Sequence, residues 1–273
     1  MIPPPALLDP LLAQIADWRG DGLFVLGICG AQGSGKSTLA AALALRLAEQ
    51  GVRVAVLSLD DLYLSRAARQ RLAAEVHPLF ATRGVPGTHD PALGLATLAA
   101  LDRGEPALLP RFDKAQDEPL PRARWPLAPR GTQVLLFEGW CLGARPQEPA
   151  ELSDPVNQLE RREDPQALWR RHANAALAGD YQRLFARIDR LVLLAAPDWD
   201  TVARWREEQE AELRATSPAG ALGVMDPAQV RRFVQHYERI TRAILTEMPP
   251  RADRVIRLGR DRAPLIPPVT TAR

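Results

Sequence analysis

Apolar residues fall along this chain in two rhythms. Short runs dense in Val, Leu, Ile and Phe lie at 23–28, 52–58, 133–140, 191–196 and 254–258, with a shorter one at 107–109. Runs of this length, closed by turn residues, are expected strands. Between them apolar positions recur at helical spacing over 9–18, 38–49, 91–101, 201–215 and 226–247. Residues 65–75 read as a helix with one polar side. Residues 155–190 read as helices broken near Gly179 and Asp180, with Leu159, Leu168, Trp169, Leu177, Leu184 and Ile188 as packing positions. Strand, helix and strand in succession over 23–58 predict a right-handed crossover and therefore a parallel sheet. Leu11, Leu12 and Ile15 share a side of the first helix, as Val230, Phe233, Val234, Tyr237 and Ile240 do on the last. Gly51 is placed to end a helix. Asp198 is placed to start one, as are Asp90 and Asp226, each followed by Pro.

The first strand runs directly into Gly30, Ala31, Gln32, Gly33, Ser34, Gly35, Lys36 and Ser37, and Thr38 opens the helix. This is the G-x-x-x-x-G-K-[ST] pattern in the strand–turn–helix context it requires. Glycines let backbone N–H groups turn inward around phosphate oxygens, and the helix N-terminus adds its positive dipole end. Lys36 brings a mobile charge to the same oxygens, and the Ser37 hydroxyl suits Mg²⁺. A nucleoside triphosphate is the expected ligand.

Later strand ends supply the rest of the chemistry, because ligands of open parallel sheets lie beyond the carboxyl ends of strands. The second strand closes on Asp60, Asp61, Leu62 and Tyr63. One carboxylate there can take a proton from an acceptor hydroxyl and either can reach Mg²⁺, while an ordinary helix cap is the alternative for the pair. Asp61 and Tyr63 join the candidates for acceptor binding. In phosphate-loop proteins a carboxylate that ends a buried strand after the loop lies beside the magnesium, and here the run 133–140 ends on Glu138. The Gly- and Pro-rich loop 77–90 mixes Arg83, Thr88, His89 and Asp90, which suits a small polar acceptor. Asp90 reads better as a cap than as a ligand, and Arg83 and His89 the reverse. Arg111, Asp113 and Lys114 could clamp an anion or form a salt-bridged turn. The proline-rich stretch 115–130 has no period and reads as a loop or flap. Arg204 and Arg206 lie early in helix 201–215. There they could stabilise charge on a transferring phosphoryl group or simply pair with Glu208 and Glu210. The loop 220–225 could let this helix move as a lid.

Composition narrows the class. With 273 residues, 46% hydrophobic and no compositional break, the chain reads as one α/β domain over 1–273. Residues 1–20 form an N-terminal extension, 198–225 a lid region and 262–273 a loose tail. The 35 basic and 33 acidic residues are mixed and leave a net charge of +2, so no basic stripe favours nucleic acid. Lysines are confined to Lys36 and Lys114, both in candidate site segments. Cys29 and Cys141 follow apolar runs and read as inert buried thiols. No run approaches a membrane span and the N-terminus lacks the pattern of a signal peptide, so a cytoplasmic protein is expected.

The segments GAQGSGKST, SLDDLYL, RGVPGTHD, LPRFDK, LLFEGWCLG, PVNQLE and RWREEQEAEL, in this order, resemble the D-glycerate 3-kinase family. They also resemble its bacterial and fungal relatives within the uridine kinase, pantothenate kinase and phosphoribulokinase group. The similarity runs over about 22–260, and RG-x-P-G-T-H-D and FEGW-x-LG are its more specific parts. The resemblance implies a P-loop NTPase three-layer α/β fold with a mainly parallel five-stranded sheet and a helical, arginine-bearing lid. It implies ATP- and Mg²⁺-dependent transfer to a hydroxyl of a small molecule. It puts Lys36 and Ser37 on phosphates and metal, makes Asp60 the base, and sets Glu138 on the acid of the second nucleotide motif and Arg204 and Arg206 on the lid. The plant enzymes carry a Gly-Arg-Gly-Asp-Arg stretch where this chain reads AQDEPLPRARWP, and Leu62 stands for the usual Phe. The acceptor is therefore open among glycerate, other sugar acids, nucleosides and pantothenate. The alternative from another class is a nucleotide-driven switch or assembly factor.

Overall fold

A computed structural model describes residues 3–216 and 225–265. The first half of the chain gives α1 Pro5–Trp18, β1 Phe24–Gly30, α2 Lys36–Glu49, β2 Val54–Ser58, α3 Arg66–Glu75 and α4 Pro91–Asp102. A small hairpin, β3 Phe112–Asp113 and β4 Glu118–Pro119, precedes β5 Val134–Gly139. Then come α5 Gln158–Glu163, α6 Leu168–Ala176, α7 Gln182–Phe185 and β6 Arg190–Ala195. The last elements are α8 Trp199–Thr216, α9 Pro227–Glu247 and β7 Arg254–Arg257.

The five longer strands form one parallel sheet in the order β2-β5-β1-β6-β7. The expected parallel sheet is present, but β1 and β2 are not neighbours, because β5 lies between them. Side-chain pattern explains the order. Every residue of β1 and β5 is buried, so these strands belong in the middle with both faces covered. β2 alternates half-buried with buried residues and β7 exposes both of its ends, which suits edges. The chain leaves β1 toward β2 on one side and reaches β6 on the other. The strand order therefore reverses at β1, and the phosphate-loop sequence follows that strand directly.

Helix ends follow the expected chemistry. Gly51 is left-handed at φ +76° just past α2. Asp90, Asp198 and Asp226 side chains accept the N–H groups of Leu93, Thr201 and Gln229 at 2.9, 2.7 and 2.8 Å. Leu8, Leu11, Leu12 and Ile15 of α1 join the main core, where α1 packs on α2. The break near Gly179 is a kink between α6 and α7, with non-helical ψ of −116° at that residue. A smaller core of Leu79, Phe80, Val85, Leu159, Trp169 and Ala173 binds the 77–90 loop to α5 and α6.

Some expectations do not hold. Residues 107–109 form no sheet strand. Leu108 makes a lone bridge with Leu127, and Pro106 and Pro110 on either side remove the donors a longer ladder needs. The β3–β4 hairpin interrupts the stretch read as a loop. Leu168 is 53% exposed rather than packed, since it is the first residue of α6. Residues 262–265, read as part of a loose tail, return to β7 through a Leu265 N–H bond to Arg257 O of 2.8 Å. The rest of that tail, and the proposed lid loop apart from Met225, lie outside the described residues. Among the described residues no helix is long and apolar enough to cross a membrane.

Candidate functional site

Beyond the ends of β1, β2 and β5 lies a cleft of about 280 Å³. Its floor is the glycine turn. Gly33 and Gly35 sit at φ +80° and +84°, which only glycine adopts freely. A Cβ on Gly33 would stand 2.9 Å from the Cβ of Trp205, so α8 rests directly on the loop. Gly35 precedes α2 with no side-chain cap and no acidic residue in the first turn, leaving its N–H groups for an anion. Gln32, Lys36, Ser37 and Thr38 line the cleft, and Ser34 is buried beneath it with no partner for its hydroxyl.

β5 delivers Glu138 to the same floor. The Ser37 hydroxyl donates to Glu138 Oε1 at 2.8 Å, and Lys36 Nζ stands 3.9 Å from Oε2. Oε2 is buried and makes no hydrogen bond. An unsatisfied carboxylate oxygen beside a serine hydroxyl and the phosphate turn is a hard-oxygen donor set that fits Mg²⁺. Cys29, just before the turn, is excluded from chemistry because burial pushes its thiol up to about 12.

Asp60 projects from a single 3-10 turn, Leu59–Leu62, that closes β2. The cap of that turn is Ser58, whose hydroxyl accepts the Asp60 N–H at 3.2 Å, so the Asp60 carboxylate is free of capping. Lys114 from the hairpin reaches it at 2.6 Å. Burial opposes the charge on Asp60, yet the ammonium groups of Lys114 and Lys36 outweigh it and hold the pKa at about 2. Asp61 turns the other way. It accepts the Phe112 N–H at 3.1 Å and pairs with Arg111 at 3.2 Å, anchoring the hairpin outside the cleft. Burial raises the Asp61 pKa, only partly offset by Arg111.

The far wall comes from the 77–90 loop, the hairpin and α9. Tyr63, Arg83, Lys114, Phe233 and Tyr237 all face the cleft. Arg83 is held from the hairpin side: its Nη1 donates to Asp117, and its guanidinium lies 5.6 Å from the Phe112 ring centre. Asp117 is itself gripped by the fully buried Arg69 at 2.5 Å. The loop backbone is fixed by Tyr237 Oη donating to Arg83 O at 3.1 Å and Trp140 Nε1 donating to Gly84 O at 3.1 Å. Among the described lining residues the charged groups are Lys36, Arg83, Lys114, Arg206 and Asp60, a balance that favours anionic ligands.

The remaining candidates lie elsewhere. His89 is buried behind Tyr63, stacked on it at 4.2 Å, with Nδ1 2.7 Å from the Tyr181 hydroxyl. Burial lowers its pKa to about 3, so it carries no charge for an anion. Arg111 is occupied by Asp61. Arg204 points outward to Glu208 at 3.7 Å and to Arg260 O at 3.3 Å, whereas Arg206 faces the cleft and pairs with Glu210. The reading from sequence missed Asp117, Gln209, Phe233 and Tyr237. One signal was available. The chain has three tyrosines, and Tyr63, Tyr181 and Tyr237 all gather on this wall or immediately behind it.

Comparison with known proteins agrees with this architecture. The chain is 38% identical over 228 residues to the uncharacterised kinase mug58 of Schizosaccharomyces pombe, spanning 78% of each protein. It is 31% identical over 223 residues to the chloroplastic D-glycerate 3-kinase of Arabidopsis thaliana, spanning 78% of this chain and 46% of that longer protein. The solved D-glycerate 3-kinase of Cryptococcus neoformans superposes with a TM-score of 0.74 and 26% identity over 95% of each chain. The family model of the methylmalonyl-CoA mutase-associated GTPase MeaB matches residues 6–63, the span of nearly all of α1 together with β1, the phosphate turn, α2 and β2.

Proposed function

The chain belongs to the D-glycerate 3-kinase family of phosphate-loop kinases, phosphotransferases with an alcohol group as acceptor, and we propose that it moves the γ-phosphate of ATP to a hydroxyl of a small sugar acid such as glycerate. The observation that carries this reading is the placement of Asp60 and Glu138. Glu138, at the end of β5, touches Lys36 and Ser37, and Asp60, at the end of β2, stands one strand further out, at a cleft whose far wall is cationic.

Each residue then has a task. The amides of the glycine turn and Lys36 bind the β- and γ-phosphates of ATP. Ser37 and Glu138 would hold Mg²⁺, which would supply positive charge to offset that of the phosphates. The acceptor hydroxyl lies against Asp60, which takes its proton as the oxygen attacks phosphorus. Arg206 neutralises charge on the group in transit. Arg83 and Lys114 bind the acceptor carboxylate, Arg83 by its fork and Lys114 as a point charge. Tyr63 and Tyr237 wall off the acceptor, and burial raises the pKa of both, so both stay protonated donors. Asp61, Arg111 and His89 support the hairpin and Tyr63 from behind. Arg204 braces α8 on Arg260.

The test is ATP consumption with Mg²⁺ across hydroxy acids, nucleosides, pantothenate and sugars, with the phosphorylated product identified. We expect a phosphorylated hydroxy acid, and Asp60→Asn to lower kcat by about 10²–10⁴-fold while ATP still binds. Phosphate release without any phosphorylated acceptor would sink the reading in favour of a nucleotide-driven switch.

A further inference from the structure

The contact between Lys114 and Asp60 sits awkwardly with the role of Asp60. A base must offer a free oxygen to the acceptor hydroxyl and be basic enough to take its proton. Here one oxygen of Asp60 is engaged by an ammonium at 2.6 Å. Lys114 rides on the β3–β4 hairpin at the mouth of the cleft, with its side chain 60% exposed. Asp60 is the only partner its ammonium has among the described residues. The hairpin is fixed at its other contacts, by Asp61 to Phe112 N–H and Arg111, and by Arg69 and Arg83 to Asp117. The hairpin frame is thus rigid, while the long Lys114 stem remains free to swing.

We infer that Lys114 is a specificity-determining positioning residue that blocks Asp60 until an anionic acceptor draws its ammonium away, so that ATP is not spent on water. The inference rests on the reading of the cleft as a kinase site with Asp60 as base. Water is neutral and offers Lys114 nothing in exchange for Asp60. A carboxylate bound at Arg83 offers a competing charge within the same wall. Once the ammonium turns to it, the freed Asp60 oxygen accepts the hydroxyl hydrogen bond. Asp60 then also loses the contact of the cation nearest to it, with Lys36 left as the second. Asp61, Tyr63, Tyr237 and Cys141 around Asp60 carry no positive charge to replace it, and the Arg83 and Arg206 guanidinium groups of the same cleft are paired with Asp117 and Glu210. The reaction prevented is attack of water on the γ-phosphorus, with its proton passing to Asp60 and ADP and inorganic phosphate leaving.

The test is ADP release by the full chain with ATP and Mg²⁺ and no acceptor. Lys114→Met keeps the length of the stem and removes the charge. We expect acceptor-independent hydrolysis to rise about tenfold over wild type, and to fall back in the Asp60→Asn/Lys114→Met double variant. Lys114→Arg, which keeps a cation, should raise hydrolysis less than Lys114→Met does. Hydrolysis in Lys114→Met equal to wild type would overturn the inference and leave Lys114 a plain acceptor ligand. A rise that persists in the double variant would overturn it too. Lys114→Gln run in parallel guards against a folding defect; unfolding of both variants would mark the ammonium as a structural tie, against the proposal. Failure of the kinase reading itself shows differently, as no phosphorylated acceptor from wild type on any panel.

Discussion

Gly84 shows how tightly single atoms set the acceptor wall. It adopts φ +149°, and a Cβ there would lie 2.5 Å from the Tyr237 hydroxyl oxygen. That hydroxyl holds the carbonyl of Arg83, and Trp140 holds the carbonyl of Gly84. Gly84→Ala therefore adds a methyl where Tyr237 stands and strains the backbone. We expect a loss of about 1–3 kcal/mol from overpacking, with strain added, and a higher acceptor KM at little change in ATP KM. Thermal denaturation and steady-state kinetics check this; an unchanged melt and KM would show that the ring yields freely. At this scale the sequence was readable where a motif fixes the partner. Lys36, Ser37 and Glu138 meet as their spacing implied, since the turn and the β5 register leave them little choice. It was not readable where arginine is abundant. Arg83 and Arg206 reach the cleft while Arg111 and Arg204 pair outside it; for Arg83 and Arg111 the choice depends on Asp117 and Asp61, which no local pattern assigns, and for the two helix arginines the i,i+4 spacing to Glu208 and Glu210 is the same and does not distinguish them.

The elements behind the acceptor wall are held by charge as well as by apolar packing. Glu160 of α5 is fully buried and takes both arms of Arg239 on α9 at 2.7 Å each, with Arg170 of α6 at 3.9 Å. It also accepts the Val156 N–H at 3.0 Å. Arg170 in turn pairs with buried Asp164 at 3.0 Å. Such a network contributes little net stability when complete, but removing one member strands buried charge. Glu160→Gln should cost about 3–5 kcal/mol in urea unfolding. Glu163→Gln three residues on, which breaks an exposed pair with Arg232 at 2.6 Å, should cost about 0–1 kcal/mol. Equal losses would mean that the buried cluster is hydrated and screened. The same helices pack Leu159, Trp169 and Ala173 on Leu79, Phe80 and Val85. The Glu160 variant should therefore also loosen the loop that carries Arg83. The helical period over 155–190 identified Leu159 and Trp169 as packing positions. It gave no hint that Glu160 and Arg170 pack beside them, because in sequence they look like any solvated pair.

Over the whole molecule, the long apolar runs were enough to identify the five strands of the main sheet and their parallel sense, and not their order. β5 comes between β1 and β2 because continuous burial, unlike alternation, demands the centre of the sheet. That insertion is what makes a site, since it sets Glu138 beside Ser37 and leaves Asp60 one strand further out. A nucleotide bound at the turn would therefore touch groups from β1, β2, β5 and α8 at once, and its binding should stabilise the chain as a unit. At 100 times its Kd a ligand that binds only the folded state adds about 2.7 kcal/mol. In a protein of this size that is a rise in Tm of roughly 5–10 °C. We expect this shift with a non-hydrolysable ATP analogue and Mg²⁺, and a much smaller one without the metal, because the Glu138 carboxylate and the phosphate oxygens are then like charges with no cation to neutralise them. Lys36→Met should abolish the shift, whereas Arg204→Ala, which removes a group braced outside the cleft, should leave it intact. A shift that survives Lys36→Met would place the nucleotide away from the turn, and one lost in Arg204→Ala would bring α8's outer face into the binding event.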